Sequence, residues 1–239
     1  ETGNGKTFLL SEFLCRYPGS DSAAAEALEM PIVMVQAPPK GNLRLLYTAI
    51  LDKLHVVYSK RSSNADLFDL CLKMVRACKV KLIIIDEFHT LVSSRGIIRD
   101  SVWDFLDMLK YILNELKIPM VCAGIPLAEK VAKLDDQIWD RFEFGHLPLW
   151  KANAQSTVNL LKSLETSLEL SGVSDLTSLE TRKYLINMSK GHLGRITRMV
   201  RECGHRAVGN SERVTLAELK PYWDKEFAKK ARPTGKSDI

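Results

Sequence analysis

Apolar residues follow two different patterns along this chain of 239 residues. Before about residue 150, short apolar runs alternate with stretches in which apolar residues recur every three or four positions. The runs predict strands, and the recurring stretches predict helices, which repeat every 3.6 residues. Strands are predicted at 31–36, 80–87, 118–123 and 144–149. Helices are predicted at 6–16, 43–55, 65–79, 97–116 and 127–134, with a further short helix that ends at 142.

After residue 152 the alternation stops and only helical patterns follow. Their predicted positions are 154–170, 178–189, 193–208 and 215–229, with glycines at the breaks between them. The chain therefore predicts an α/β domain over residues 1–150, a small all-helical domain over 151–230 and a disordered tail at 231–239. Strands that alternate with helices indicate a parallel sheet sandwiched by helices.

One predicted strand is apolar and β-branched throughout and ends in two acidic residues. It covers 80–87 and closes with Asp86 and Glu87. A run of this kind is typical of a strand buried on both faces of a parallel sheet. Acidic residues at its carboxyl end lie where open α/β sheets bind their ligands.

The first seven residues, Glu-Thr-Gly-Asn-Gly-Lys-Thr, match the phosphate-binding loop G-x-x-x-x-G-K-[ST] except for its first glycine. Glycines in such a loop let successive backbone N–H groups converge on phosphate, and the helix that follows adds its positive dipole end. Lys6 is expected to reach the β and γ oxygens, and the Thr7 hydroxyl is placed to hold Mg²⁺. The predicted nucleotide-binding residues are Thr2, Gly3, Asn4, Gly5, Lys6, Thr7 and Asp86.

The loop and the acidic strand together predict a nucleotide triphosphatase that uses ATP and Mg²⁺. A flexible turn before a helix would explain the loop alone, but it leaves the acidic strand unexplained. Asp86 is expected to hold Mg²⁺ with Thr7, and Glu87 to polarise the attacking water. Gln36, which ends the strand at 31–36, could face Glu87 from the neighbouring strand, or could simply be a polar strand end.

Composition narrows the setting without deciding the function. The hydrophobic content of 46% is enough for one or two domains, and the net charge of +5 permits an anionic partner without requiring one. No apolar run approaches the ~18 residues of a membrane span, and no secretory signal is visible. Five cysteines without a C-x-x-C pair favour buried thiols in a reducing cytosol. Because the strand that precedes a phosphate-binding loop is central to its sheet, and no residue precedes Glu1, we expect the natural protein to extend upstream.

Five segments make the chain resemble AAA+ ATPases, and within them the TniB/TnsC group of ATP-dependent regulators of DNA transposition. The segments are Gly3–Thr7, Pro31–Pro39, Leu82–Leu91, Asp136–Phe142 and Lys190–Arg195. The resemblance implies a phosphate loop at Lys6 and Thr7, metal support from Asp86 and a catalytic base at Glu87. It further implies that Arg141 is an arginine finger for a neighbouring subunit and that Arg195 is the nucleotide-sensing arginine of a helical lid. For both arginines an ordinary surface charge is the alternative.

The same resemblance implies a partner and an assembly. TniB/TnsC-like proteins form rings or helical filaments around duplex DNA in the bacterial cytosol and contact its backbone without reading sequence. They recruit or activate a transposase, act with a target selector and leave after ATP hydrolysis. The positions that match their DNA-facing loops are Lys40, Arg44, Lys60, Arg61 and Ser62. Cationic and hydroxyl side chains suit phosphate contacts, and ordinary surface charge is the alternative for each of these residues.

The sequence also departs from its relatives and leaves alternatives open. Ile125 follows Gly124 where many relatives carry a polar sensor residue, so we expect hydrolysis to be slow. An arginine finger at Arg141 would make hydrolysis depend on the oligomer. A replication-type initiator or loader ATPase shares these motifs, and a nucleotide-locked interaction module with negligible turnover is a further alternative. Asp86–His89 also fits the helicase motif D-E-x-H, but such helicases need two tandem core domains, for which 150 residues leave no room.

Overall fold

The computed structural model describes residues 3–19, 29–92, 98–221 and 223. They divide into two compact units, one containing residues 6–146 and the other containing residues 3–5 with those from 147 onward. None of the described helices is long and apolar enough to cross a membrane.

The first unit is built on a parallel sheet of three described strands. They are β1 (Ile32–Gln36), β2 (Leu82–Asp86) and β3 (Met120–Cys122), in the order β1-β2-β3. Gln36 pairs in register with Asp86, and Ile85 pairs with Cys122. The predicted parallel sheet is confirmed, with β2 between its two neighbours as its run of apolar residues requires.

Six helices of the described part surround these strands. They are α1 (Lys6–Arg16), α2 (Leu43–Lys53), α3 (Asn64–Ala77), α4 (Asp100–Leu116), α5 (Leu127–Ala132) and α6 (Asp136–Trp139). Short 3₁₀ turns cover Pro39–Gly41 and Phe88–Leu91. Side-chain caps fix where two helices begin: Asn42 accepts from the N–H of Leu45, and Ser63 forms a capping box with Asp66.

The core of the first unit lies where α2, α3 and α4 pack on the sheet. Ile83 and Ile85 of β2 are buried, as are Leu51, Phe105 and Leu109 of the helices. The apolar stripe of each helix thus faces the strands, and the polar carboxyl ends of β1 and β2 remain at the edge of this core.

The second unit is helical and has its own core. Its helices are α7 (Gln155–Ser167), α8 (Leu179–Ser189) and α9 (Leu193–Ala207), with a further helical stretch at 216–221. Leu161, Leu185 and Ile196 are fully buried in it, and the Trp223 indole donates to the carbonyl of Met199 at 3.3 Å. The prediction of helices without strands after residue 152 is confirmed for the described residues.

One predicted strand is wrong. Residues 142–150 have no regular secondary structure, although 144–149 was predicted as a strand. Its alternation of apolar residues does not correspond to burial, because Phe144, Leu147 and Leu149 are all exposed. Pro148 also lacks the N–H that a strand interior needs. The predictions for residues 20–28, 93–97, 222 and 224–239 lie outside the described residues.

Candidate functional site

The acidic end of β2 and the first turn of α1 meet through a hydrogen bond. The Thr7 hydroxyl donates to Oδ2 of Asp86 at 2.8 Å, although the two residues are 79 positions apart. Asp86 is only 1% exposed, and its other oxygen, Oδ1, accepts from the backbone N–H of Glu87 at 2.8 Å. Both oxygens of this buried carboxylate are therefore bonded, as burial of a charged group requires.

The parallel sheet explains why this carboxylate lies here. Gln36 ends β1 opposite Asp86, and the next N–H, that of Ala37, donates to the Asp86 carbonyl at 2.8 Å. Parallel strands place their carboxyl ends at one edge, where a side chain can face a ligand. Gln36 is exposed at that edge, and Lys6 is half-buried at the start of α1.

Two oxygen donors of the right kind for Mg²⁺ are thus in contact. Mg²⁺ prefers oxygen ligands and in nucleotide sites usually takes one or two from the protein and others from phosphates. The Thr7 hydroxyl and the Asp86 carboxylate fit this requirement, since they approach to 2.8 Å and α1 begins one residue before Thr7. An anion at the start of this 11-residue helix would meet its positive dipole end.

The preceding loop, Gly3–Gly5, belongs to the second unit. Gly3 and Gly5 have φ of +79° and +84°, a left-handed conformation that favours glycine. Asn4 is 7% exposed, and its amide donates to the carbonyls of Leu147 and Pro148 at 3.1 and 3.3 Å. Its side chain therefore fixes the shape of the loop, and the role of Asn4 in binding nucleotide stays a prediction. Thr2 lies outside the described residues.

Glu87 differs from its neighbour Asp86 in both backbone and surroundings. Its φ of 55° and ψ of 35° are left-handed, which is unusual for a residue other than glycine. Its side chain is 38% exposed, and Oε2 lies 3.3 Å from Nε2 of His89. His89 was predicted only as part of the family segment Leu82–Leu91 and of the helicase motif D-E-x-H, without a role of its own; the spacing D-E-x-H was the signal that could have found it.

The two predicted arginines are both exposed. Arg141 follows α6, and its guanidinium donates to the side chain of Asn114 at 2.9 Å. The described contacts do not bring Arg141 to Thr7, Asp86 or Glu87. Arg195 lies in the first turn of α9, and its backbone N–H donates to the carbonyl of His192 at 3.1 Å.

The predicted DNA-facing residues lie in two segments of the first unit. Lys40 is exposed in the turn Pro39–Gly41 with a left-handed φ of 61°, and its carbonyl accepts from the Ser101 hydroxyl. A side chain at Gly41 would place its Cβ 2.4 Å from the carbonyl oxygen of Ser101, so this turn requires glycine. Close packing on the start of α4 therefore sets where Lys40 projects.

The second segment is the basic loop, residues 58–63. Lys60 and Arg61 are exposed in it, whereas Ser62 is half-buried. The Arg44 guanidinium of α2 donates to the carbonyls of Lys60 and Ser62, both at 2.7 Å. Arg44 thus holds the backbone of the loop that carries the other cations, and its predicted contact with DNA stays a prediction.

Comparison with known families decides where the chain belongs. The family of bacterial TniB proteins matches residues 1–152. The chain belongs to the TniB family. A comparison with curated proteins found no match.

Three solved structures with folds similar to this TniB-family chain are distant from it in sequence. The ORC2 protein of Aeropyrum pernix in its ADP form has a TM-score of 0.63 at 18% identity, covering 94% of this chain and 60% of that one. The Cdc6p protein of Pyrobaculum aerophilum has a TM-score of 0.57 at 14% identity, covering 94% and 58%. The Walker-type ATPase PABY2304 of Pyrococcus abyssi has a TM-score of 0.52 at 13% identity, covering 96% and 65%.

These likenesses show the fold. The TniB-family chain has the P-loop fold of AAA+ ATPases, as its motifs predicted. It spans about 60% of the length of the ORC2 and Cdc6p chains it matches. The ORC2 protein of Aeropyrum pernix was solved with ADPNP and ADP, and that fact concerns the neighbour alone.

Proposed function

We propose that this TniB-family chain is an ATP-dependent DNA-binding regulator of transposition. The observation that carries the proposal is the hydrogen bond between Thr7 and Asp86, in a chain whose first 152 residues match the family. This contact joins the end of the phosphate loop to the acidic strand, which is the arrangement that an ATP·Mg²⁺ site requires.

The residues at the end of β2 support a division of work in ATP hydrolysis. Lys6 would bind the β- and γ-phosphates, while Thr7 and Asp86 would hold Mg²⁺. Mg²⁺, when bound, supplies positive charge that offsets the charge developing on the phosphate oxygens. Glu87 would orient the attacking water and accept its proton, and Gln36 would contact the water or Glu87 from β1.

Two arginines and the turn after β3 support slow ATP hydrolysis that depends on assembly of the protein into an oligomer. Arg141 is exposed, as a residue acting on a neighbouring subunit must be. Arg195 would sense the nucleotide from the helical lid. We assign residues 151–230 to this lid and residues 1–150 to the nucleotide-binding core. Ile125 cannot hydrogen-bond to water or phosphate, so we propose that hydrolysis serves as a release switch rather than as a motor.

The exposed cations support binding to the DNA backbone. Lys40, Lys60 and Arg61 extend from turns whose backbones are fixed by Ser101 and Arg44, and Ser62 adds a hydroxyl. Contacts of this chemistry bind phosphate without reading bases. ATP would stabilise rings or filaments of the protein on target DNA in the bacterial cytosol, where a transposase and a target selector would join them.

A replication-type loader would share this fold with the ORC2 and Cdc6p neighbours. Structures at 14–18% identity show a common fold and no more, so they do not favour that function. The family match over residues 1–152 favours regulation of transposition.

The test is sedimentation of the protein with random-sequence duplex DNA under three conditions: no nucleotide, ADP, and a non-hydrolysable ATP analogue. We expect large assemblies only with the ATP analogue, and we expect salt to dissolve them. Lys6→Ala is the control, since it should abolish the response to nucleotide and leave the basic loop unchanged. Assembly that is indifferent to nucleotide, or no binding to DNA, would contradict the proposal.

A further inference from the structure

We propose that His89 is a positioning residue that holds the Glu87 carboxylate in the orientation needed to accept a proton from water. The inference rests on the proposed ATPase function and adds a residue to it. It starts from the contact between His89 Nε2 and Glu87 Oε2, which are 3.3 Å apart.

Glu87 needs such a partner because, among the described residues, His89 is the only one seen in contact with the end of its side chain. Its backbone N–H is bonded to Asp86 Oδ1, and its left-handed φ of 55° sets the direction in which the side chain leaves the backbone. The side chain itself is 38% exposed, and an exposed glutamate samples several rotamers. A general base must instead sit within hydrogen-bond reach of one water in a fixed direction.

His89 is well suited to provide that direction because its own position is fixed from two sides. It lies in the 3₁₀ turn Phe88–Leu91, where Phe88 is buried and its N–H donates to the carbonyl of Ala123 at 2.7 Å. The Thr90 hydroxyl donates to the carbonyl of Ala37 at 2.9 Å. The turn is therefore attached to the chain just beyond both β3 and β1.

The surroundings of the imidazole decide which of its nitrogens carries the proton. Nδ1 is buried and has no hydrogen-bond partner among the described residues. It lies next to Gly124, where an added Cβ would be 3.5 Å from Nδ1 and 2.7 Å from Cβ of Ala128. Because a buried N–H without an acceptor is costly, a neutral ring would keep its proton on Nε2, the nitrogen that lies 3.3 Å from Glu87 Oε2.

This arrangement leaves half of the carboxylate available for chemistry. An ionised carboxylate has two oxygens and about four acceptor positions, so Oε2 can accept from His89 while Oε1 accepts from a water. A base oriented by a third group is a recurring arrangement in enzymes. Ile125, in the turn after β3, is apolar and cannot make such a contact, whereas the His89 ring is polar and lies 3.3 Å from Glu87 Oε2.

The test compares three substitutions of His89 in ATP hydrolysis measured with duplex DNA present. His89→Gln places an amide N–H near the position of Nε2, whereas His89→Asn is too short and His89→Leu has no donor. We expect kcat to fall about tenfold for the asparagine and leucine variants, with KM for ATP unchanged, and the glutamine variant to keep most of the activity. Thermal unfolding of all three serves as the control for folding.

Two further measurements separate positioning from a purely structural role. With Glu87→Gln as background, His89→Leu should cause no additional loss, because the positioned base is already absent. The imidazole ¹⁵N shifts of His89, assigned by their disappearance in His89→Gln, should show a proton on Nε2 and should change in Glu87→Gln.

Three results would overturn the inference: equal kcat for the glutamine and asparagine variants, wild-type kcat for His89→Leu, or a proton on Nδ1. Failure of the proposed function looks different, since the wild-type protein would then assemble on DNA regardless of nucleotide or would not bind DNA at all. The ¹⁵N shifts would in that case still decide whether His89 donates to Glu87.

Discussion

The end of β2 and the basic loop both carry residues with a proposed role, but the fold fixes them in opposite ways. At the end of β2 the side chain itself is fixed, since Asp86 is buried and both its oxygens accept hydrogen bonds. In the basic loop the backbone is fixed instead. Arg44 binds two of its carbonyls, while Lys60 and Arg61 remain exposed.

The difference follows from what each region is proposed to bind. A metal ion and a reacting phosphate need donors within a fraction of an ångström of their ideal places, so buried and bonded side chains suit them. A DNA backbone offers a row of equivalent charges, so exposed and adaptable cations on a shaped loop suffice. A single substitution at the end of β2 should therefore cause a large loss of activity, whereas substitutions in the basic loop should each weaken DNA binding by a small step.

The steepest effect is expected for Glu87→Gln. It keeps the size of the side chain but removes the base, so kcat should fall by about 10² to 10³. Because ATP would still bind, assemblies on DNA should form and persist. Hydrolysis assays and sedimentation after adding ATP would measure both. A nucleotide-locked module would instead show the same hydrolysis and the same assemblies in the wild type and in Glu87→Gln. That result would mean that the end of β2 has no catalytic role.

A smaller effect at the same region is expected for Thr7→Val. The variant keeps the shape of threonine without its hydroxyl, which leaves Oδ2 of buried Asp86 without its partner. The free energy of unfolding should fall by about 1 to 3 kcal/mol, and ATP binding should lose its dependence on Mg²⁺. Urea unfolding and calorimetry with and without Mg²⁺ would show this.

Thr7→Ser is the matched control, since serine keeps the hydroxyl. We expect it to retain Mg²⁺-dependent binding. If valine also retained that dependence, Thr7 would not be a metal ligand, and the 2.8 Å contact with Asp86 would have only a structural role.

In the loop, removing both exposed cations should weaken DNA binding without abolishing it. Lys60→Ala combined with Arg61→Ala should lower the slope of log K against log salt by about 2, equally on any DNA sequence. Binding titrations at several salt concentrations measure this slope. Lys162→Ala with Lys183→Ala removes the same charge from exposed positions of the second unit and is the control. Equal loss in both pairs would show that only net charge matters.

The sequence predicted correctly those parts of the molecule that have a regular apolar pattern or a motif of fixed spacing. β2 was predicted from its β-branched run. The partnership of Thr7 with Asp86 was predicted because each motif has one place in a parallel α/β sheet. The strand at 144–149 was predicted wrongly, because alternation of apolar residues shows a strand only where a neighbour buries one face, and Phe144 and Leu149 are exposed.

Contacts that depend on backbone atoms or on one side-chain direction were beyond the sequence. Arg44 bonds two carbonyls, and every residue has a carbonyl, so no letter marks those partners. His89 reaches Glu87 because a 3₁₀ turn follows a left-handed residue. The D-E-x-H spacing shows that the two residues are near each other in sequence, but not that their side chains meet. The roles proposed for Arg141 and Arg195 stay predictions.

The smallest and most discriminating effect is expected for Arg44→Lys. Lysine keeps the positive charge but lacks the planar fork that spans the carbonyls of Lys60 and Ser62. If Arg44 acts by shaping the loop, the DNA affinity of Arg44→Lys should fall roughly a few-fold. The slope of log K against log salt should stay at the wild-type value. Amide hydrogen exchange in residues 58–63 should increase, because the loop backbone loses two hydrogen bonds at 2.7 Å.

If Arg44 instead touches phosphate, Arg44→Lys should bind as the wild type does, and Arg44→Ala should lower the slope by about 1. That outcome would mean that Arg44 is one more phosphate contact, equivalent to Lys60 and Arg61. Holding the backbone of the loop would then contribute nothing to DNA binding.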